Sequence, residues 1–261
     1  MKRIVYIAIF AAALCSLLLL KTGSMPKIDP VEAAEPGYVR IDYMPDPNVT
    51  ITIDGRWTVD NEWTNNGEIT WIENKVLFRS VWSFVSMSEV YDTWLVEFFT
   101  DNTNDTGDYW QMCIDGDQSG GFAPQAGDYR IDIIGHTTLK VYQGTGTGWS
   151  EVTPPASIQW ANSISASPMN STPHWILELR FNKPDLGAGP YWNFRLAVYD
   201  ESTGELLSWP PTPRDVPDRY GFQDFRMEVV PEGLNIGATV LLSSFSVIVG
   251  SYTLRKRLER S

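Results

Sequence analysis

Cysteine is nearly absent: of 261 residues only Cys15 and Cys113 carry a thiol. Cys15 lies inside an apolar run near the start, so the region beyond holds Cys113 alone, and no disulfide can form within it. The core, a tether or a bound ion must supply the stability that cross-links give small exported domains. Histidine is as scarce. His136 and His174 stand at the starts of expected strands, where a solvated side chain is the expectation. No Cys-x-x-Cys-His stretch is present, which excludes attached c-type haem. Basic residues are outnumbered, giving a net charge of −12. Setting aside the terminal Lys2, Arg3, Lys21, Arg255, Lys256, Arg257, Glu259 and Arg260 leaves 13 basic against 31 acidic residues. Such a surface repels nucleic acid and anionic head groups. It leaves divalent cations and neutral ligands as partners, and it also keeps an exported protein soluble.

Long apolar runs occur only at the ends. Lys2 and Arg3 precede an uncharged stretch from Ile4 to Leu20, closed by Lys21. A basic flank, an apolar segment and small polar residues after it predict a signal peptide or N-terminal anchor over 1–24. At the other end Leu234 to Leu254 contains no charge, and Arg255, Lys256, Arg257 and Arg260 follow. At about 1.5 Å per residue this run is long enough for one membrane-spanning helix. The basic stop places the C-terminus in the cytoplasm, so 229–261 reads as a transmembrane anchor with a basic tail. The tail resembles the PEF-CTERM-like sorting tails of archaeal surface proteins handled by archaeosortases, in which a Pro-Glu motif precedes one apolar span and a basic cluster. Here the motif is Val230-Pro231-Glu232-Gly233. The resemblance implies an archaeal, membrane-anchored protein whose central part faces outwards. Three Asn-x-Ser/Thr glycosylation sequons, at Asn48, Asn104 and Asn170, agree with that topology.

Residues 25–47 hold Pro26, Pro30, Pro36, Pro45 and Pro47 and read as a spacer without a core. The block 48–228 is ample for one domain. It shows no internal repeat, and period-two alternation dominates it. In 175–181, Trp175, Leu177, Leu179 and Phe181 share one face, opposite Ile176, Glu178 and Arg180. In 192–199, Trp192, Phe194, Leu196 and Val198 lie opposite Asn193, Arg195, Ala197 and Tyr199. "VLFRSVWSFV", "TWLVEFF", "YWQMCID", "YRIDII" and "TLKVYQG" behave alike, separated by Gly, Pro, Asn and Asp clusters. Many short strands with long polar loops predict an all-β sandwich.

Several of these stretches together resemble family 9 carbohydrate-binding modules and their DOMON-like relatives. The residues are "ITIDGRWTVDNEW" with Ile53, Asp54, Gly55, Asp60, Glu62 and Trp63, then the strand ending at Asp101, then "GDYWQMCIDGDQSGG" and "DYRIDI". "WILELRFNKPDLG" with Glu178 and "WNFRLAVYDESTGELLSWPP" with Asp200, Trp209 and Pro210 complete the series. The resemblance implies a jelly-roll-like sandwich that binds sugar, binds haem, or attaches to larger surface proteins.

Two clusters are candidate sites. In "CIDGDQSGG", Asp115, Asp117 and Ser119 offer oxygens at alternate positions before a glycine turn, as a calcium loop does. The twelfth position is Ala126 and the flanks are strands, so the loop is not an EF-hand; Asp128 or Asp101 would complete the shell from neighbouring loops. A polar turn is the competing reading. Two carboxylates on one loop do not straddle a scissile bond, and no catalytic motif is present. Sugar binding needs flat aromatic faces, and of eleven tryptophans Trp71, Trp149 and Trp160 lie near loops or strand ends. Trp82, Trp94, Trp110, Trp175 and Trp192 read as core. Haem, the lesser alternative, would need Met112, His136 or His174 as ligands. The expectation is a non-catalytic, calcium-stabilised carbohydrate-binding module on the cell surface, contacting an envelope glycan. A structural or interaction protein of the envelope is the alternative, and a haem-dependent electron-transfer domain the second.

Overall fold

A computed structural model describes residues 38–229 apart from 60, 65, 213 and 214. The expected signal segment, most of the spacer, Asp60 and the expected C-terminal span lie outside the described residues. Among those described, no helix is long and apolar enough to cross a membrane.

Thirteen strands form here: β1 (Val39–Met44), β2 (Thr70–Ile72), β3 (Val76–Ser86), β4 (Glu89–Phe98), β5 (Tyr109–Asp115), β6 (Asp128–Ile134), β7 (Thr138–Gly144), β8 (Trp149–Val152), β9 (Gln159–Ser165), β10 (His174–Asn182), β11 (Trp192–Asp200), β12 (Glu205–Trp209) and β13 (Gly221–Val229). They pair in the order β8-β7-β6-β5-β11-β13-β1-β3-β4-β10-β9, with β12 on β11 and β2 on β3. The path curls so that its two halves face each other across one core, an all-β sandwich joined along an edge by β1. Alternation decides what enters that core. Trp110, Met112 and Ile114 of β5 meet Trp94, Val96 and Phe98 of β4, Leu177 and Leu179 of β10, and Trp192 and Phe194 of β11. Aromatic rings carry much of the packing: Phe194 lies 5.1 Å from Trp94, edge-on, and 4.6 Å from Trp209, stacked. Trp82, Trp94, Trp110, Trp175 and Trp192 are all buried, as their strand faces require.

The spacer reading of 25–47 needs correction over 39–44. Val39–Met44 is an internal strand, parallel to both β13 and β3. Its inward residues are Arg40 and Asp42, both buried, so the usual apolar-in pattern is inverted. The Arg40 guanidinium donates to Thr70 Oγ1 at 3.1 Å and to the Glu68 carbonyl at 2.9 Å, and lies 5.2 Å from the Phe78 and Trp94 rings. Asp42 accepts from Ser80 Oγ at 2.9 Å. Pro45 and Pro47 follow the strand without interrupting it.

A second, smaller core sits on the outer side of the β3–β4–β10 half, where Trp57, Trp63, Val81, Leu95 and Ile176 pack together. Residues 51–59 and 61–64, which carry most of the "ITIDGRWTVDNEW" stretch, form no strand and instead cover this face. Glu178 on β10 holds the cover down. It accepts from the backbone N–H groups of Asp54 and Gly55, each at 2.9 Å, and from Trp63 Nε1 at 2.9 Å. Glu62 accepts from the Thr52 and Thr58 N–H groups at 2.8 Å. Gly55 has φ 77°, and a Cβ there would lie 2.5 Å from the Asn162 backbone, so glycine is required.

Candidate functional site

The opposite half of the sheet is only partly covered: Asp215 and Tyr220 lie against its outer side, and Cys113, Asp132 and Arg195 there are buried. Its outer face carries the side chains that alternate with the core residues of β5, β6, β7 and β11. Ladder register sets them in cross-strand rows. Arg195, Cys113, Arg130 and Tyr142 form one row, Ala197, Gln111, Asp132 and Lys140 the next, and Tyr199 and Tyr109 lie beyond. Arg130 is the centre. Its guanidinium lies 4.2 Å from the Tyr142 ring and 5.6 Å from the Trp149 ring, and donates to Asp132 Oδ2 at 2.9 Å. Asp215 closes the rim, accepting from Trp149 Nε1 at 3.0 Å and from the Tyr220 hydroxyl at 2.6 Å, with Arg130 Nη1 at 3.9 Å. Arg195 Nη1 donates to Gln111 Oε1 at 3.1 Å. Tyr109 and Tyr199 stack with 5.1 Å between centroids and 18° between planes.

Three polar atoms of this face, Arg130 Nε, Asp132 Oδ1 and Arg195 Nε, are buried without a hydrogen-bond partner. Such groups are costly unless something pairs with them. Burial pushes the Asp132 carboxyl above its usual range although Arg130 pulls it down. Burial likewise raises the Tyr220 hydroxyl well above its ordinary value, with Cys113 and Asp215 adding to it. Planar rings, two guanidiniums, a carboxylate and an amide on one face suit a ligand with both apolar C–H faces and hydroxyls.

Of the three expected platform tryptophans, the structure brings only Trp149 to this cluster. Trp71 is 43 % exposed on β2, its ring 5.4 Å from Phe99. Trp160 on β9 packs partly buried against the main core. No ring contact joins any two of the three, so they form no common clamp. Sequence reasoning missed Arg130, Asp132, Arg195 and the tyrosines 109, 142 and 199. Opposite charges recurring on the solvent side of adjacent strands were the available signal, but only cross-strand register turns them into a cluster.

The candidate calcium ligands divide. Asp115, Asp117 and Asp128 come together, their carboxylate oxygens within 4.8 Å of one another. Asp115 and Asp128 are directly opposite on β5 and β6, a like-charge pairing that is unfavourable by itself. Asp115 accepts from the N–H groups of Ser119 at 2.9 Å and Gly120 at 3.0 Å. Asp128 Oδ2 accepts from the Gln125 N–H at 2.6 Å, while its Oδ1 is buried without a partner. Burial, then the charges of Asp115 and Asp117, push the Asp128 carboxyl up to about 7. An all-oxygen set with an unpaired buried oxygen fits a hard cation. Ser119 contributes its backbone N–H to Asp115 and Asp117. Asp101 is elsewhere, beyond the other end of β5. There it joins Asp108 and His136, and Asp108 also groups with Asp105 and Asp200. Asp101 Oδ2 is buried and unpartnered. This second cluster was not foreseen, because its members come from three separate places, the β4–β5 connection, the β6–β7 turn and the end of β11.

The expectation of solvated histidines is corrected. His136 and His174 are both buried. His136 uses Nε2 on Asp108 at 2.9 Å and Nδ1 on Asn162 at 3.2 Å. His174 uses Nε2 on Glu97 at 3.3 Å and Nδ1 on the Thr172 carbonyl at 2.8 Å. Met112 is fully buried in the core. The sequon residues Asn48 and Asn104 are exposed on loops, and Asn170 is half-buried with its Oδ1 accepting from the Thr172 N–H.

No protein-family model matches the sequence, and no curated protein sequence matches it. Among solved structures, the fold is similar to a family 9 carbohydrate-binding module from Caldicellulosiruptor kristjanssonii in complex with glucose, at 13% identity and a TM-score of 0.45, covering 74% of this chain and 100% of that one. A family 9 module from the same organism in complex with cellotriose gives 14% identity and a TM-score of 0.47, covering 74% and 98%. The sugars belong to those structures.

Proposed function

We propose that this chain is a non-catalytic carbohydrate-binding module displayed on the cell surface. The supporting observation is the Arg130–Tyr142–Trp149 stack with the unpaired buried atoms of Asp132, Arg130 and Arg195 beside it. Rings would take the apolar face of a sugar, and the charged groups would pair with its hydroxyls. Cys113 on this face is no activated nucleophile: it is fully buried, and burial, then Asp215, raises its thiol well above the usual range. Both histidines and Met112 are engaged elsewhere, so the haem reading draws no support from them. A glycan array probed with residues 38–229 tests the proposal, and silence across neutral and acidic polysaccharides removes it. Trp149→Ala weakens binding to whatever glycan scores by about tenfold or more. Trp160→Ala, a change at the other edge of the sheet, leaves affinity unaltered.

Calcium at Asp115, Asp117 and Asp128 belongs to the same reading, as a clamp on the β5–β6 connection. Saturating calcium at a hundred times its Kd adds about 2.7 kcal/mol of stability, a Tm rise on the order of 5–10 °C for a domain of this size. Asp128→Asn abolishes the rise, and differential scanning calorimetry with calcium or chelator checks both statements. If wild type melts identically in both, the clamp does not exist. Outward display is read from the terminal apolar runs, with 234–254 as the membrane span, and protease shaving of intact cells tests it.

A further inference from the structure

At one end of the fold the chain builds an apolar surface that the sugar reading does not use. Parallel pairing puts the ends of β1, β3 and β13 together: Met44 is opposite Val229, and Tyr43 opposite Val81. Between them lies a groove of about 570 Å³ whose walls include Trp82, Phe84, Met87, Phe225, Met227 and Pro190. Its rim is open to solvent. Met87 is 89 % exposed, Met227 78 %, and Phe84 53 %; Val85 and Tyr191 are exposed beside them. Trp82 and Phe225 meet edge-on at 5.3 Å, and Tyr191 packs on Phe225 at 5.0 Å, so an aromatic wall backs the rim. At the base Lys183 is buried with Asp92 at 3.4 Å and Asp42 at 3.7 Å. Two aspartates against one ammonium disfavour an anionic head group there.

An exposed apolar patch on an otherwise acidic protein marks an interaction surface. The course of the chain says which one. β13 ends at Val229 beside this groove, and the uncharged run begins at Leu234. Five residues reach at most about 17 Å, so a bilayer entered at Leu234 lies within that distance of the rim. We propose that the β3–β4 turn and the end of β13 seat on the lipid surface, with Met87, Phe84 and Met227 entering the interface and the Tyr191–Trp82 wall at head-group level. This rests on the reading of 234–254 as a membrane span. The contact is apolar in origin: Glu89 and Asp224 stand nearby, Arg226 is paired with Asp224, and Lys183 at the base is held by two aspartates, so it favours zwitterionic over anionic lipid. The seat would hold the long axis of the strands away from the membrane.

The test uses the full chain with Cys15→Ser, reconstituted in phosphatidylcholine vesicles and carrying one nitrobenzoxadiazole label. The label is placed at Met87→Cys or, as the far-end control, at Asn102→Cys, just beyond the end of β4. Expected is a blue-shifted emission at 87 that is lost on adding doxyl-labelled lipid, with water-like, unquenched emission at 102. Both labels reporting water while the chain still floats with the vesicles overturns the seating and leaves the anchor standing. A blue shift at 87 that grows with protein concentration and resists doxyl lipid assigns the patch to a second copy, and also overturns it. A chain that does not float removes the anchor reading and this inference together.

Discussion

A polypeptide beginning at Asn48 gives no cooperative unfolding transition, whereas one beginning at Gly37 melts as a single domain. The difference is β1. Removing it exposes the facing edges of β13 and β3, which now pair with it, and divides the continuous path into two separate sheets. Gln223, Ser80 and Thr70 lose the guanidinium that they share, and Phe78 and Trp94 lose the cation on their faces. Each buried polar group left unpaired costs about 1–3 kcal/mol, and the total stability of a domain is only about 5–15 kcal/mol. Circular dichroism during heating of the two polypeptides decides the matter. A cooperative melt from the shorter one would show β1 to be an accessory strand.

Glu178→Ala destabilises the domain by about 3–5 kcal/mol, because it strands the N–H groups of Asp54 and Gly55 and the Trp63 indole in a buried site. The loss depends on pH in a defined direction. Burial outweighs the three donors and pushes the Glu178 carboxyl up to about 7, above the value of about 4.3 expected in the unfolded chain. A raised folded value means that the group's contribution is complete below about pH 4 and is lost as pH rises through 7. The gap between wild type and Glu178→Ala is therefore widest in acid and narrows towards pH 8. Urea melts at pH 5 and pH 8 measure it. A gap that widens with pH would mean that the carboxylate, not the acid, is the form the fold prefers.

Much of the architecture was legible because alternation is a local property. β10 and β11 could be assigned from Trp175, Leu177, Leu179 and Phe181 and from Trp192, Phe194, Leu196 and Val198, whose period matches the pleat. β1 was not legible, since its inward residues are Arg40 and Asp42 and a charged inner face reads as a solvated segment. The other side of β10 was misleading for a related reason: Ile176 and Glu178 look like an outer face and are one, but a loop from more than a hundred residues earlier lies on them. The aspartates 115, 117 and 128 could be grouped because they flank the connection between two paired strands. The Asp101 grouping could not, since His136 and Asp200 are brought beside the β4–β5 connection only by the fold. The Arg130 cluster was hidden for the same cause. Its members are unremarkable in their own strands and become a site when β11, β5, β6 and β7 align.

The claim that most needs a direct test is that a sugar sits on that aligned face. Backbone nuclear magnetic resonance of residues 38–229, titrated with an oligosaccharide that scores on the array, reports where it sits. The predicted result is a set of shifts confined to Arg130, Asp132, Tyr142, Trp149 and Arg195 and their neighbours, needing about tenfold more sugar in Trp149→Ala. Shifts centred on Trp71 and Phe99, or no shifts at saturating sugar, would contradict the assignment.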